Sequence, residues 1–133
     1  MRESWRWFGL SDPVTIDDIR QTGATDVVSA LHQVPAGEVW ETNKIQDHQR
    51  LIESDNFLKR PLYWSVVESI PVHEKIKLGE EGCQTFINSW IKSMENLAFC
   101  GIKTICYNFM PVIDWTRTDL AHRLDSGAYA LRF

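Results

Sequence analysis

The sequence predicts an α/β fold in which a parallel sheet is covered by helices. Two observations support this prediction. Strand-like and helix-like segments alternate along the 133 residues, and the last three strand-like segments are nearly continuous apolar runs. Such runs are typical of parallel strands that are buried on both faces and connected by helices. The length fits one domain, and nothing in the composition indicates a second.

The first strand and helix are predicted from aromatic alternation and from end signals. Residues 4–8, SWRWF, place aromatic side chains at alternate positions, which favours a strand. Residues 11–23 predict a helix: Ser11 or Asp12 can cap it, the next residue is a proline, and Gly23 ends it.

The middle of the chain predicts two more strands around a second helix. Residues 24–31, ATDVVSAL, form a β-branched apolar run and predict a strand. Residues 38–56 carry apolar side chains at helical spacing on an otherwise polar segment, which predicts an amphipathic helix. Residues 61–70, PLYWSVVESI, predict the third strand.

The last part of the chain predicts a loop, a helix, a strand and a turn. Residues 71–82 are polar and are expected to form a loop. Residues 83–101 have the apolar spacing of a long amphipathic helix and end on a glycine, and residues 102–112 predict the fourth strand. Residues 125–127, Asp-Ser-Gly, predict a turn in the tail.

Charge and composition exclude several classes of function. The net charge is −4, and there is no block of lysine and arginine of the kind that binds nucleic acid. No apolar stretch approaches the roughly 18 residues of a membrane span, and the first residues lack the apolar core of a signal peptide. Three cysteines without framework spacing predict buried free thiols. These features predict a cytoplasmic protein without nucleic-acid or membrane partners.

Polar side chains recur where the predicted strands end. Arg6 lies in the first strand, His32 follows the second, and Glu68 lies near the end of the third. Asn108 and Arg117 follow the apolar start of the fourth. Because the carboxyl ends of parallel strands meet at one edge of a sheet, we expect these five side chains to line a pocket for a small polar ligand.

Each of these side chains also has a structural alternative. Arg6 either binds a carboxylate through its guanidinium fork or forms an ion pair within the protein. A buried Glu68 must be paired or bound. His32 either contacts a ligand oxygen or packs in its loop. Arg117 either reaches a ligand or forms a salt bridge with Asp114, and Trp115 either walls the pocket or packs.

Two other histidines are interpreted as structural. His73 stands next to Glu74, and adjacent residues of an extended chain point in opposite directions, so a capping or solvated role is favoured over a metal pair. His48 is assigned to the polar face of the second helix. Trp64 is expected in the core.

Several long strings resemble one enzyme family. They are WRWFG (5–9), DPVTIDDIRQ (12–21), PAGEVW (35–40), WSVVESIPVHEKIK (64–77) and CYNFMPVIDWTRTDL (106–120). These strings closely resemble the N-terminal part of the mannonate dehydratase family, and the similarity runs in order from Met1 to Phe133 with a looser stretch at 41–62.

The resemblance implies a reaction, a metal and a fold. The family converts D-mannonate to 2-dehydro-3-deoxy-D-gluconate and water in hexuronate breakdown. It is similar to the xylose-isomerase-like TIM barrels, and the complete protein is expected to be a homo-oligomer. The family uses Fe²⁺ or Mn²⁺ held by His, Cys and Asp side chains. Such a metal orients the oxygens of the sugar acid and stabilises developing negative charge.

The chain departs from the family in two ways. A TIM barrel needs about 250 residues, so residues 1–133 are expected to form an incomplete barrel of about four β/α units, an inactive N-terminal fragment. The metal ligands and the catalytic residues are expected beyond residue 133. Gln33 stands where the family often has a second histidine, and glutamine does not shuttle protons. Two alternatives remain open: half-barrels that self-assemble, and a non-catalytic sugar-acid-binding module.

Overall fold

The computed structural model describes residues 1–54, 61–112 and 116–132. None of the helices in these ranges is long and apolar enough to cross a membrane. The described elements, in chain order, are β1 (Ser4–Arg6), α1 (Ile16–Gln21), β2 (Asp26–Ser29), α2 (Thr42–Glu53), β3 (Tyr63–Glu68), α3 (Glu74–Leu78), α4 (Cys83–Phe99), β4 (Thr104–Cys106), β5 (Asp119–Arg123) and β6 (Tyr129–Arg132).

The first four strands form one parallel sheet in the order β1-β2-β3-β4. Arg6 of β1 pairs with Val28 of β2, Val28 with Val66 of β3, and Val66 with Thr104 of β4. All three pairings are parallel, so the prediction of a parallel α/β sheet is confirmed. Parallel register places the carboxyl ends of the four strands at the same edge.

The two faces of the sheet differ in burial. Trp7, Ser29 and Val67 lie on the face that packs against the helices and are buried. Their neighbours Arg6 and Val66 point to the opposite face, because successive side chains of a strand alternate, and both retain contact with solvent. We call this second surface the open face. None of the described helices covers it.

The core lies between the sheet and the helices. Each of the three main helices contributes fully buried side chains that pack with Val67 of β3. They are Ile19 of α1, Ile45 and Ile52 of α2, and Leu97 of α4. Fully burying an aliphatic side chain of this size contributes about 1.5–3 kcal/mol. Trp64 also lies in this core, as predicted.

The first helix begins later than the sequence predicted. Its cap is Thr15, whose hydroxyl accepts from the backbone N–H of Asp18 while the Asp18 carboxylate accepts from the Thr15 backbone. This reciprocal capping box satisfies two donors at the helix start. Asp12 is not a cap. Its carboxylate instead accepts from the backbone N–H groups of Phe8 and Val14, which closes a turn before the helix.

Other element boundaries also differ from the prediction. The second helix begins at Thr42 and not at residue 38, and the fourth strand ends at Cys106 and not at residue 112. The segment 71–82 was expected to be a loop, but it contains α3, a short helix capped by the His73 side chain at its start and by Gly79 after its last residue, Leu78. The cysteines are free, as predicted, but none of the three is buried: Cys83 and Cys100 are partly exposed, and Cys106 is exposed.

The tail forms an antiparallel hairpin, β5–β6, that the sequence did not predict. The predicted turn at 125–127 is confirmed as its connection, closed by the bond from the Gly127 N–H to the Leu124 carbonyl. Its apolar residues Leu120, Tyr129 and Leu131 are all largely exposed. The two strands therefore do not show the alternation of buried apolar and exposed polar residues by which a strand is predicted.

Gly37 allows the loop before α2 to approach α4 closely. Its φ is +90°, and a Cβ at this position would lie 2.6 Å from the Phe86 ring. The same ring stacks on His73 with centroids 3.7 Å apart. We expect Gly37→Ala to lower the free energy of unfolding by about 2 kcal/mol, from backbone strain and overpacking together.

The matched control for this variant is Gly23→Ala. Gly23 has a φ of +89° but no atom within 4 Å of the added Cβ, so it isolates the backbone strain of about 1 kcal/mol. Urea unfolding of both variants measures the difference. Equal losses in the two variants would show that the loop does not depend on the approach to Phe86.

Candidate functional site

The open face carries an ion pair at the carboxyl ends of β1 and β3. Arg6 Nη1 lies 3.5 Å from Glu68 Oε1, and the pair spans from β1 to β3 across β2. The Arg6 side chain is half exposed and the Glu68 side chain about one third exposed. The structural alternative predicted for Arg6, an ion pair, is therefore observed. The partial exposure leaves room for the guanidinium to contact a ligand as well.

Phe8 connects this ion pair to His32. The Arg6 guanidinium carbon lies 4.7 Å from the centroid of the Phe8 ring, a cation–π contact. The centroids of the Phe8 and His32 rings are 5.9 Å apart. Arg6, Phe8, His32 and Glu68 thus form one connected group, which we call the Arg6–Glu68 cluster. Phe8 was not among the predicted site residues, although strand alternation places it two positions after Arg6 on the same face.

Asp12 holds the loop that follows β1. The backbone N–H groups of Phe8 and Val14 donate to its carboxylate, with His32 as a weaker electrostatic contributor, and these interactions lower the pKa of Asp12 below its ordinary value. The bond to Phe8 also fixes the backbone that presents the aromatic ring to His32. The loop is therefore organised around a carboxylate that stays ionised at neutral pH.

The loop after β4 is tied to α3. Glu74 accepts from the backbone N–H of Val112 and from the Lys77 ammonium, and hydrogen bonds from Lys77 and then from Val112 lower the Glu74 pKa. Asn108 lies in this loop and is half-buried. Its side chain makes no hydrogen bond to any residue in the described ranges, which leaves its amide available to a ligand hydroxyl.

The five predicted site residues are not all in contact. Arg6, His32 and Glu68 belong to one cluster, Asn108 lies beyond β4, and Arg117 lies just before the hairpin, where its Nη1 donates to the Thr116 carbonyl at 2.9 Å. Asp114 and Trp115 lie outside the described residues. A pocket shared by all five side chains remains a prediction.

His73 and His48 have different structural roles, only one of which was predicted. His73 caps α3 by accepting from the Lys75 N–H, so the capping interpretation is confirmed. The placement of His48 on a polar face was wrong, because His48 is 8% exposed and packs between Trp7 and Trp64. The signal was present in the sequence: position 48 is in helical phase with Ile45 and Ile52.

A metal site is not complete in the described part of the chain. Residues 1–54, 61–112 and 116–132 contain no group of three or more His, Cys, Asp or Glu side chains placed to hold a metal ion. The residues present do not fit the divalent metal that the resemblance implies, and we derive no chemical step through it. Within these residues, the arrangement provides a guanidinium, a carboxylate and an imidazole for binding and orienting a polar ligand.

The fold and the cluster define a class of protein. A parallel sheet with helices on one face and polar side chains near the carboxyl ends of its strands is typical of α/β proteins that bind small molecules. Comparison with known proteins then identifies the family. The family model described as D-mannonate dehydratase (UxuA) matches residues 1–133. The chain belongs to the D-mannonate dehydratase family.

Individual relatives agree with this assignment. The chain is 56% identical to the mannonate dehydratase of Chromohalobacter salexigens and 53% identical to that of Marinomonas sp., over all 133 residues in both cases. It spans about a third (33%) of the length of each relative. The crystal structure of mannonate dehydratase from Streptococcus suis serotype2 superimposes with a TM-score of 0.89 and 40% identity, covering 98% of this chain and 36% of that one.

Proposed function

We propose that this segment forms part of a D-mannonate dehydratase, a hydro-lyase that converts D-mannonate to 2-dehydro-3-deoxy-D-gluconate. The similarity along the whole segment supports this proposal. We further propose that the sheet is the first part of a TIM barrel, since the four parallel strands occur in barrel order with helices on one face. The open face then becomes the barrel interior.

The role proposed for this segment is to bind and orient the sugar acid. Arg6 supplies a guanidinium whose fork matches a carboxylate, and Glu68 and the Phe8 ring hold that guanidinium in place. His32 and Asn108 offer hydrogen bonds to hydroxyls.

The metal, the acid and the base are proposed to come from residues other than those of this segment. Loss of the C2 proton requires a base, and departure of the C3 hydroxyl requires an acid. A divalent metal such as Fe²⁺ or Mn²⁺, if held by residues outside this segment, would supply Lewis-acid chemistry. Residues 1–133 alone are therefore expected to be inactive toward D-mannonate, and metal-dependent turnover by the purified segment would contradict this division of roles.

Arg6→Met tests the proposed role of the guanidinium. In the protein expressed at its full encoded length, we expect KM for D-mannonate to rise roughly 50-fold, because a charge-assisted bidentate contact to a carboxylate contributes about 1.5–3 kcal/mol. The assay is the loss of D-mannonate with Mn²⁺ added. Arg50→Met is the control, since Arg50 pairs with Asp47 on the exposed side of α2. An unchanged KM in Arg6→Met would refute the carboxylate contact.

A second proposal is that copies of the segment assemble through the sheet edges. Among the described strands, β1 pairs only with β2 and β4 only with β3, so two strand edges can add further strands. Light scattering of the purified segment distinguishes a monomer from such an assembly.

A further inference from the structure

Val112 has a backbone conformation that branched residues avoid. Among the residues that the structure describes, it is the one non-glycine residue with a positive φ, +66°. In this left-handed region the Cβ lies too close to the following carbonyl oxygen, and a β-branched residue there is a clear outlier. The Val112 side chain is largely exposed, so its packing does not hold the conformation. A contact to the backbone must therefore fix this point of the loop after β4.

The Glu74 carboxylate supplies that contact from α3. Its Oε2 accepts from the Val112 N–H at 3.2 Å. Its Oε1 accepts from the Lys77 ammonium at 2.6 Å, and the Lys77 side chain is only 10% exposed. Because a largely buried ammonium needs a partner, Lys77 fixes one carboxylate oxygen of Glu74 and leaves the other directed at Val112.

Helix α3 is itself anchored to the body of the protein. The His73 side chain caps its start, and the His73 ring stacks on Phe86 of α4 with the two planes 3° apart. Ile76 of α3 lines an apolar cavity together with Trp90 of α4. Glu74 therefore connects the loop after β4 to an element that is packed on a long helix.

The same loop carries Asn108. Tyr107 and Phe109 both line the apolar cavity against α4, on the helix-covered side of the sheet. Because successive side chains of an extended chain alternate, Asn108 between them faces the opposite side, which is the open face. The strand register agrees, since the residue two positions before Asn108 pairs with Glu68. A shift of this loop thus moves Asn108 relative to the Arg6–Glu68 cluster.

We propose that Glu74 is a positioning residue for the substrate site: it holds the loop after β4 through the Val112 N–H and thereby sets the position of the Asn108 amide. Asn108 is half-buried and makes no side-chain hydrogen bond within the described residues, so its amide depends on the loop for its place. This inference rests on the proposed function, because Asn108 is assigned there to a substrate hydroxyl. It adds a residue that acts from outside the site.

Glu74→Gln breaks the contact with almost no change in volume. Glutamine has one acceptor oxygen in place of two, and the Lys77 ammonium, which only donates, takes it. The amide NH₂ then faces the Val112 N–H, and neither group accepts. In the protein at its full encoded length, we expect the Val112 amide to exchange with deuterium roughly tenfold faster.

Glu95→Gln is the matched control for the exchange experiment. Glu95 also pairs with a lysine three residues away, Lys92, but both side chains are exposed on α4. This variant should leave the Val112 exchange rate unchanged. An unchanged rate in Glu74→Gln as well would overturn the contact on which the inference is built.

Kinetics test whether Glu74 acts through Asn108. We expect Glu74→Gln to raise KM for D-mannonate roughly fivefold with kcat little changed, because binding alone is weakened. In an Asn108→Ala background the same substitution should change KM by less than about twofold, since residues that act as a unit are not additive. An equal rise in both backgrounds of an active enzyme would overturn the inference. A parent protein that does not turn over D-mannonate would instead contradict the proposed function, while the Val112 exchange rate still tests the contact.

Discussion

Replacing Arg20 with Met is expected to lower the free energy of unfolding by about 4 kcal/mol. Arg20 is 2% exposed, and its Nη2 donates to the carbonyl oxygens of Ile52 at 3.0 Å and Ser54 at 2.6 Å. These carbonyls lie at the end of α2, where no further turn of the helix can satisfy them. Methionine fills a similar volume but leaves both oxygens without this donor. Urea unfolding monitored by tryptophan fluorescence measures the loss.

Arg50→Met is the control for this prediction. Arg50 belongs to α2 itself, but it is exposed and pairs with Asp47 at (i, i+3). Exposed pairs of this kind contribute about 0–1 kcal/mol, so the control should unfold almost as the parent does. Similar losses in the two variants would show that the buried Arg20 contacts do not anchor α1 to the end of α2.

Acidification from pH 7 to pH 4 is expected to remove about 3 kcal/mol of stability through His48 alone. Burial, with a smaller contribution from the nearby His32, lowers the His48 pKa from 6.5 to about 4. The folded state therefore holds the ring neutral while the unfolded chain protonates it. Stability is fully present above pH 6.5 and falls as the pH drops, until the folded protein also binds the proton near pH 4.

His48→Gln isolates this contribution. Glutamine can still donate to Ser29 but does not titrate, so the variant should be less stable at pH 7 yet lose about 3 kcal/mol less on acidification. Several carboxylates with lowered pKa values also reduce stability on acidification below about pH 4.5; they include Asp12, Asp18 and Glu74. Their contribution is the same in both proteins, so it cancels when the two are compared at each pH. Parallel pH profiles for the two proteins would show that His48 is not held neutral.

The parallel sheet was predictable because its signals are local and strong. Apolar runs at 24–31 and 61–70 contain β2 and β3, and the long helices α2 and α4 have clear apolar spacing. Capping was harder to predict, since Asp12 and Thr15 both suit a helix start. The choice depends on Asp12 accepting from the Phe8 N–H, a contact that exists only once the loop folds.

The grouping of Arg6, His32 and Glu68 was predictable from the strand ends, but the contacts among them were not. Parallel strands bring Arg6 and Glu68 to one face, and their ion pair follows from that register. Two features depend on tertiary structure and were not predicted. They are the Phe8 ring that joins Arg6 to His32, and the aromatic enclosure of His48, whose polar side chain suggested a solvated helix face.

The most direct test of the proposed function is a dehydration assay on the full-length protein that carries this segment. The protein is treated with a chelator, divided, and assayed for loss of D-mannonate with and without added Mn²⁺. We expect turnover to 2-dehydro-3-deoxy-D-gluconate only in the sample with metal. A folded protein that leaves D-mannonate unchanged in both samples would contradict the assignment of this segment to a working mannonate dehydratase.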